Sequence, residues 1–190
     1  MTDRKLQILQ TAAHLFKDKG YAAVTMRDLA AAMDMKAASL YNHISGKQEI
    51  LSELILRVAQ EFTAGMIAVK SNDKSAFEKV SFLIALHVEI AIKYTNELAV
   101  LNTDWMHLEG APYEAYIKMR RDYETEFKAL ILLGVQRGEF EDRNVDTILF
   151  HLLSTLRSIY LWIPKKSAGE IAKLREELPE LLLNGFTKRS

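Results

Sequence analysis

TMRDLAAAMDMKAASLYNHISGK, Thr25 to Lys47, reads as two short helices joined by a tight turn, and the rest of the chain is organised around it. Thr25 with Asp28 three positions later has the form of a capping box, Thr bonding forward and Asp reaching back. The run Leu29, Ala30, Ala31, Ala32, Met33 favours helix on propensity and period. Asp34 interrupts it, a residue that tolerates turn conformations without a glycine's freedom. A second helix carries Ala37, Leu40, Tyr41 and Ile44 at i, i+3, i+4 and i+7, and Ser45-Gly46 stops it. Two such helices across a short turn make a helix-turn-helix, whose second helix fits a DNA major groove.

LYNHISGKQEIL, preceded by GYAAVTMRDLAAAMDM, resembles the signature of the TetR family of bacterial transcriptional repressors. The resemblance covers about the first fifty residues; beyond them the chain is similar to the family in length and helicity. Lys36 stands where the family usually has a Ser or Thr cap, which shifts the expected start of the recognition helix by a residue. Ile44 replaces the usual Phe, a tolerable core exchange.

With 190 residues the chain can bury one sizeable core, or a small domain continuous with a larger one. The absence of cysteine removes disulfide frameworks and thiolate metal sites and is compatible with a reducing cytosol. Arg4 and Lys5 lead into an amphipathic run unlike a signal peptide, so a cytoplasmic protein is expected. The net charge of zero hides an asymmetry: residues 1–47 carry seven Lys/Arg against four Asp, and the remaining 143 carry 18 against 21 acids. A modestly basic end on an acidic body suits a DNA-facing module borne by a non-binding domain, although the asymmetry is small.

Helical spacing predicts a first helix over 3–19, with Gly20 as its terminator. Leu6, Leu9, Phe16, Leu29, Met33 and Leu40 are the expected small core of the three-helix head. A long fourth helix should run from Lys47 toward Val69, with Leu51, Leu54, Ile55, Val58 and Phe62 on one face. After a break at Ser71-Asn72-Asp73, with Asp73 or Ser75 (with Glu78) as the next cap, helices are expected over 75–94, 96–108, 112–136, 144–163 and 168–186. Gly110 should end one of these, Pro112 start the next, and Pro179 kink or split the last. Ser167 with Glu170 forms a second capping box. The expected fold is all-α, about nine helices, divided into a helix-turn-helix DNA-binding domain over 1–47 and a ligand-binding and dimerisation domain over 48–190.

Residues 145–163, VDTILFHLLSTLRSIYLWI, are 19 long and mostly apolar, but Asp146, His151 and Arg157 make a membrane span costly. No membrane contact is expected. The segment is apolar on two faces, one for its own core and one, with Phe150, Leu153, Tyr160 and Leu161 flanking Arg157, that needs a partner. Leu174, Leu178, Leu181, Leu182 and Phe186 give the last helix a similar surplus. Two such helices per subunit would form a four-helix interface in a homodimer, as the TetR resemblance also implies. Burial of both faces within one large domain is the alternative.

The TetR resemblance assigns Thr25, Arg27, Tyr41, His43 and Lys47 to phosphates of double-stranded operator DNA. Lys36, Ala37, Ala38, Ser39 and Asn42 are left facing the groove. Of these only Asn42 can bond adenine bidentately, while the alanines could press on thymine methyls, so an A/T-leaning half-site is expected. Tyr41 has a competing reading as a core aromatic beside Leu40 and Ile44.

The resemblance also implies a small-molecule effector in the helical body. Tyr113, Tyr116, Arg120, Tyr123 and Phe127 share one helical stripe, where an arginine needs a partner: an anionic effector, or an acid such as Glu89 or Asp104. His87 sits among Phe77, Val80, Ile84, Val88 and Ala91, either as a hydrogen-bonded core residue or as a ligand contact. Phe62, Met66, Trp105, Met106 and Met119 are the soft, bulky residues that would line a pocket or fill a core. The run Leu161-Trp162-Ile163-Pro164 is similar to TetR-like repressors that bind acyl-CoA thioesters, which favours an acyl-CoA or another amphipathic acid as effector.

Other classes have less support. No Gly-rich phosphate loop, nucleophile elbow, HExxH or EF-hand is present, and no two histidines fall at helical pair spacing. An enzyme is therefore not expected, nor a metal or other cofactor. A constitutive DNA-binding protein, or a helical binding protein, would lack an effector. The reading is a ligand-responsive, sequence-specific repressor in which the fourth helix transmits the state of the pocket to the head.

Overall fold

The computed structural model describes residues 3–185 and 187, and among them the secondary structure is helical with one isolated bridge pairing, Phe140 with Thr187. The helices are α1 Asp3–Lys19, α2 Met26–Ala32, α3 Ala37–Leu40, α4 Lys47–Lys70, α5 Ala76–Lys93, α6 Thr95–Asp104, α7 Gly110–Gln136, α8 Val145–Trp162 and α9 Ala168–Leu183. No helix among the described residues is long and apolar enough to cross a membrane. The chain forms two compact units, Met1–Ala59 with Tyr94–Lys118, and Gln60–Lys93 with Met119–Ser190. Helices α4 and α7 contribute residues to both.

In the first unit α1 packs on α2 and on α6, and α2 on α3. That double packing explains why α1 buries more than one stripe: Ile8, Leu9, Ala12, Ala13 and Phe16 are all inside. Leu9, Phe16, Leu29 and Leu40 are buried as expected, whereas Leu6 and Met33 are only half-buried. Val24, Ile44, Ile50, Leu51, Leu54 and Ile55 complete the core. Each such side chain contributes roughly 1.5–3 kcal/mol of hydrophobic burial.

The second unit packs α5 against both α8 and α9. Helix α5 begins in a capping box, Ser75 Oγ accepting from Glu78 N–H at 3.1 Å and Glu78 returning the bond to Ser75 N–H at 2.9 Å. Glu139 accepts a further bond from the Phe77 N–H at 2.8 Å, so a third free donor of that helix end is also satisfied. Gly134 is required by close approach: a Cβ there would lie 2.2 Å from the buried Phe140 ring and 3.1 Å from Ala76 Cβ. Gly65 is similar, its absent side chain making room for Leu86.

Several boundaries differ from the sequence reading. Helix α3 is a single turn; Lys36 at its N-cap makes no side-chain capping bond, and residues 41–43 continue as turn. Helix α6 ends at Asp104, which leaves helical geometry at φ −117°, ψ 0°, and a 3₁₀ turn Trp105–His107 follows. Helix α7 starts at Gly110, not Pro112, with that glycine at φ +58°. Pro179 neither splits nor ends α9, which runs through it to Leu183 with Pro179 buried. Phe186, expected on the last helix, lies outside the described residues.

Candidate DNA-facing and effector sites

The helix-turn-helix is built from local bonds. Thr25 Oγ1 accepts from Asp28 N–H at 3.1 Å, and Asp28 accepts from Thr25 N–H at 2.8 Å, which closes the capping box. These bonds from Thr25 hold the Asp28 carboxyl below the usual carboxylate range. The Thr25 hydroxyl is thus committed to the head's own frame. At the turn Asp34 adopts φ +51°, the left-handed conformation that most side chains avoid, and Met35 N–H closes back onto Ala30 O at 2.9 Å.

Beyond the turn, burial sorts α3 and its continuation cleanly. Leu40 and Ile44 go into the core, Ala37 and Ser39 are half-buried, and Lys36, Ala38, Tyr41, Asn42 and His43 are exposed. Tyr41 is 55% exposed, so it is a surface aromatic and not a core one. Arg27 is exposed on α2. The polar side chains Lys36, Asn42 and His43 and the flat Tyr41 therefore share the solvent side of one short segment.

Lys47 is placed differently from the expectation. Its Nζ donates to the carbonyls of Tyr21 and Val24, both at 2.9 Å, and lies 4.1 Å from the centre of the Tyr21 ring. It clips the start of α4 to the loop between α1 and α2. That loop is held from its other side as well: Tyr21 stacks on His107 with centroids 5.3 Å apart, its N–H faces the buried Asp104 at 3.4 Å, and Gln48 donates to His107 O at 2.7 Å. Glu49, which sequence reasoning missed, accepts from Ser45 N–H at 2.6 Å and from Lys5 Nζ at 2.8 Å. Lys5 first and Ser45 second hold its carboxyl down at about 2. The only sequence signal for it was an acid in the first turn of α4.

The expected effector residues divide between the two units. In the second unit Phe62, His87 and Tyr123 meet, with ring centroids 4.5 Å apart for Phe62 and His87 and 5.7 Å for Phe62 and Tyr123. His87 Nε2 and the Tyr123 hydroxyl are 3.0 Å apart. Burial, with a smaller contribution from the Arg157 charge, pushes the His87 imidazole down to about 3, and burial raises Tyr123. Both are uncharged at neutral pH. Met66 is buried in the same unit and Met119 is half-buried. Trp105 and Tyr116 instead belong to the first unit, where Trp105 lies 5.9 Å from Tyr116 and 6.4 Å from Tyr113, and Met106 there is 60% exposed.

Arg120 does not stand bare on an aromatic inner face. It pairs with Glu124 one turn along its own helix at 3.2 Å, and Arg157 pairs with the same carboxylate. The acids named as its possible partners are engaged elsewhere, Glu89 with Arg175 at 2.6 Å and Asp104 with the Tyr21 N–H. Of the expected interface residues, Phe150 and Leu161 are exposed at 73% and 59%, Arg157 is exposed and Leu178 half-buried. Leu153, Tyr160 and Leu182 are buried within the single chain.

A compact head that buries one side of a helix-turn-helix and leaves the other polar and open defines the class of helix-turn-helix DNA-binding proteins. Residues 8–54 match the bacterial regulatory proteins of the tetR family, and residues 73–186 match the tetracyclin repressor-like C-terminal domain. The chain belongs to the TetR family. It is 22% identical over 190 residues to the HTH-type transcriptional repressor KstR2 of Mycobacterium tuberculosis, covering 99% of this chain and 95% of that one. The solved structure of the ketosteroid transcriptional regulator KstR2 from that organism superposes with a TM-score of 0.92 at 19% identity, covering 100% and 97% of the two chains. AibR, solved in complex with isovaleryl coenzyme A and operator DNA, superposes with a TM-score of 0.80 at 20% identity, covering 95% and 98%.

Proposed function

We propose that this protein is a homodimeric, ligand-responsive transcriptional repressor that binds operator DNA and releases it when a small-molecule effector occupies its helical body. The observation that carries the DNA half is the division of the segment 36–44, with Leu40 and Ile44 inside and Lys36, Ala38, Tyr41, Asn42 and His43 outside. Residues 1–47 serve the operator, and residues 48–190 serve effector and partner. Thr25, Arg27, Tyr41 and His43 lie at or near the phosphates, and Asn42 reads a base edge, with Lys36, Ala37, Ala38 and Ser39 beside it. The exposed Phe150 and Leu161 contribute to the surface between subunits. The cytoplasm is the compartment such a regulator works in.

For the effector, Phe62, Met66, His87, Met119 and Tyr123 are the lining group, and an acyl-CoA thioester is the favoured class. AibR's complex with isovaleryl coenzyme A supports that class for a chain of the same fold. Effector binding changes the separation of the two recognition helices away from about one DNA turn, ~34–36 Å, with α4 carrying the change.

The test combines operator selection with ligand identification. Binding sites selected from random duplexes should be palindromic and A/T-leaning, and Asn42→Ala should relax one base position by about 1–3 kcal/mol. Equal loss on every sequence would make Asn42 a backbone contact. Mass spectrometry of ligand co-purified with the native protein should give an acyl thioester whose addition weakens operator binding.

A further inference from the structure

The segment that carries the DNA-facing residues has few ties of its own. Helix α3 is one turn long and begins at Lys36 without a side-chain cap. Among the described residues, Lys36, Ser39, Tyr41, Asn42 and His43 make no side-chain hydrogen bond or ion pair. The backbone bonds are local, Ser39 N–H to Lys36 O at 2.9 Å, and His43 and Ile44 N–H to Leu40 O at 2.9 and 3.1 Å. Leu40 and Ile44 are buried and fix the depth of the segment in the head. Apolar burial has no direction, so these two side chains set depth better than tilt.

Direction comes from the residue that follows. Ser45, two residues beyond His43, is exposed, yet its N–H and its hydroxyl both donate to Oε2 of Glu49, at 2.6 and 2.7 Å. The other oxygen of Glu49, Oε1, accepts from Lys5 Nζ at 2.8 Å, and Lys5 also pairs with Glu53. One carboxylate of α4 therefore ties the rear of the reading segment to the first turn of α1. Charge-assisted bonds of this kind are directional and about twice as strong as neutral ones. The Glu49 carboxyl, held at about 2 by Lys5 first and Ser45 second, is ionised throughout the neutral range.

We propose that Glu49, anchored by Lys5, is a positioning residue for operator discrimination: through Ser45 it sets the tilt at which Tyr41, Asn42 and His43 meet the duplex. The inference rests on the DNA reading above and adds to it a residue that acts through another. Bidentate bonding to a base edge depends on angle, whereas attraction to phosphates depends mainly on charge. Loosening the tie therefore removes the advantage of the preferred sequence and spares binding to arbitrary duplex. The sign of the effect separates this role from that of the charge alone. An acid near DNA repels every sequence, so its removal would by electrostatics tighten binding to all duplexes alike.

Full-length protein and its variants are compared on two duplexes at one salt concentration: the sequence that the wild-type protein selects from a random library, and the same duplex scrambled. Glu49→Ala should lower the ratio of the two affinities roughly tenfold, the size of one lost base contact, with affinity for the scrambled duplex unchanged or slightly raised. Glu49→Gln keeps an oxygen for the Ser45 N–H and should recover most of the ratio. Lys5→Met breaks the other end of the tie, so it should lower the ratio by itself and add little to Glu49→Ala in the double variant. Circular dichroism and unfolding midpoints establish that each variant is folded at the assay temperature. A wild-type ratio in folded Glu49→Ala, whether both affinities fall or both rise, reduces Glu49 to a staple or a bare charge and overturns the inference. Should Glu49→Ala not fold, Lys5→Met decides, and an unaltered ratio there overturns it equally. A wild-type protein that selects no sequence overturns the repressor reading itself.

Discussion

The two units use their polar side chains in opposite ways. In the first, Lys47, Gln48 and Asp104 bond backbone groups of the loop at Tyr21 and of the turn at His107, and Glu49 joins Lys5 to Ser45. These bonds link neighbouring elements and leave the reading face of Lys36 to His43 free of such ties. In the second, the ion pairs Arg175 with Glu89, Lys70 with Glu126 and Lys128 with Asp146 are partly exposed, while a neutral histidine and tyrosine are held inside. Exposed pairs of that kind contribute little stability. The head commits its polar groups to holding neighbouring elements together, and the body keeps its ion pairs near the surface and a neutral, mutually bonded ring pair inside.

Replacing the clip should break the first half of this contrast. Lys47→Met removes two charge-assisted bonds to backbone carbonyls and should destabilise the head by about 1.5–3 kcal/mol in denaturant unfolding. Because its ammonium is spent on Tyr21 and Val24, the slope of operator affinity against salt should stay unchanged. A fall in that slope of about 1 would return Lys47 to the phosphate group.

Acid should expose the second half. With the folded imidazole of His87 held at about 3 and an unfolded value near 6.5, the unfolded chain binds the extra proton between these limits. Stability is therefore fully present above pH 6.5 and falls as the pH drops toward 3, by about 2 kcal/mol at pH 5 from this group. His87→Phe should flatten the slope in that window, and an unaltered slope would show that the histidine is not buried neutral. The smallest effect is at the turn. Asp34→Val should lose about 1–2 kcal/mol because a β-branched residue resists positive φ, whereas Asp34→Gly should stay within about 0.5 kcal/mol.

Signals that act over a few residues were legible in the chain. The bounds of α1, the start of α4, the capping boxes at Thr25 and Ser167, and a non-glycine turn at Asp34 all follow from neighbours within one helical turn, while of the two caps offered for α5, Asp73 and Ser75, the structure uses Ser75. The inward placement of Leu40 and Ile44 followed from period, which also put the exposed Tyr41 on their face; the outward placement of Asn42 came with the family resemblance. The partners of long charged side chains were not legible. Arg120 was assigned an anionic effector or an acid such as Glu89 or Asp104, yet it meets Glu124 one turn away. Lys47 was assigned to DNA on a motif and meets carbonyls more than twenty residues back. Nor did the aromatic stripe of α7 reveal that Tyr116 and Tyr123 fall in different units.

What the sequence determined by itself was the helical class, the caps, the turn and the polarity of the reading segment, because each rests on spacing along one helix and on backbone groups close in the chain. Only the tertiary structure decided that His87 faces Tyr123, that Glu49 joins Lys5 to Ser45, and that Lys47 closes a loop. Those choices depend on which side chains arrive together from distant elements, and on how much water remains around them when they do.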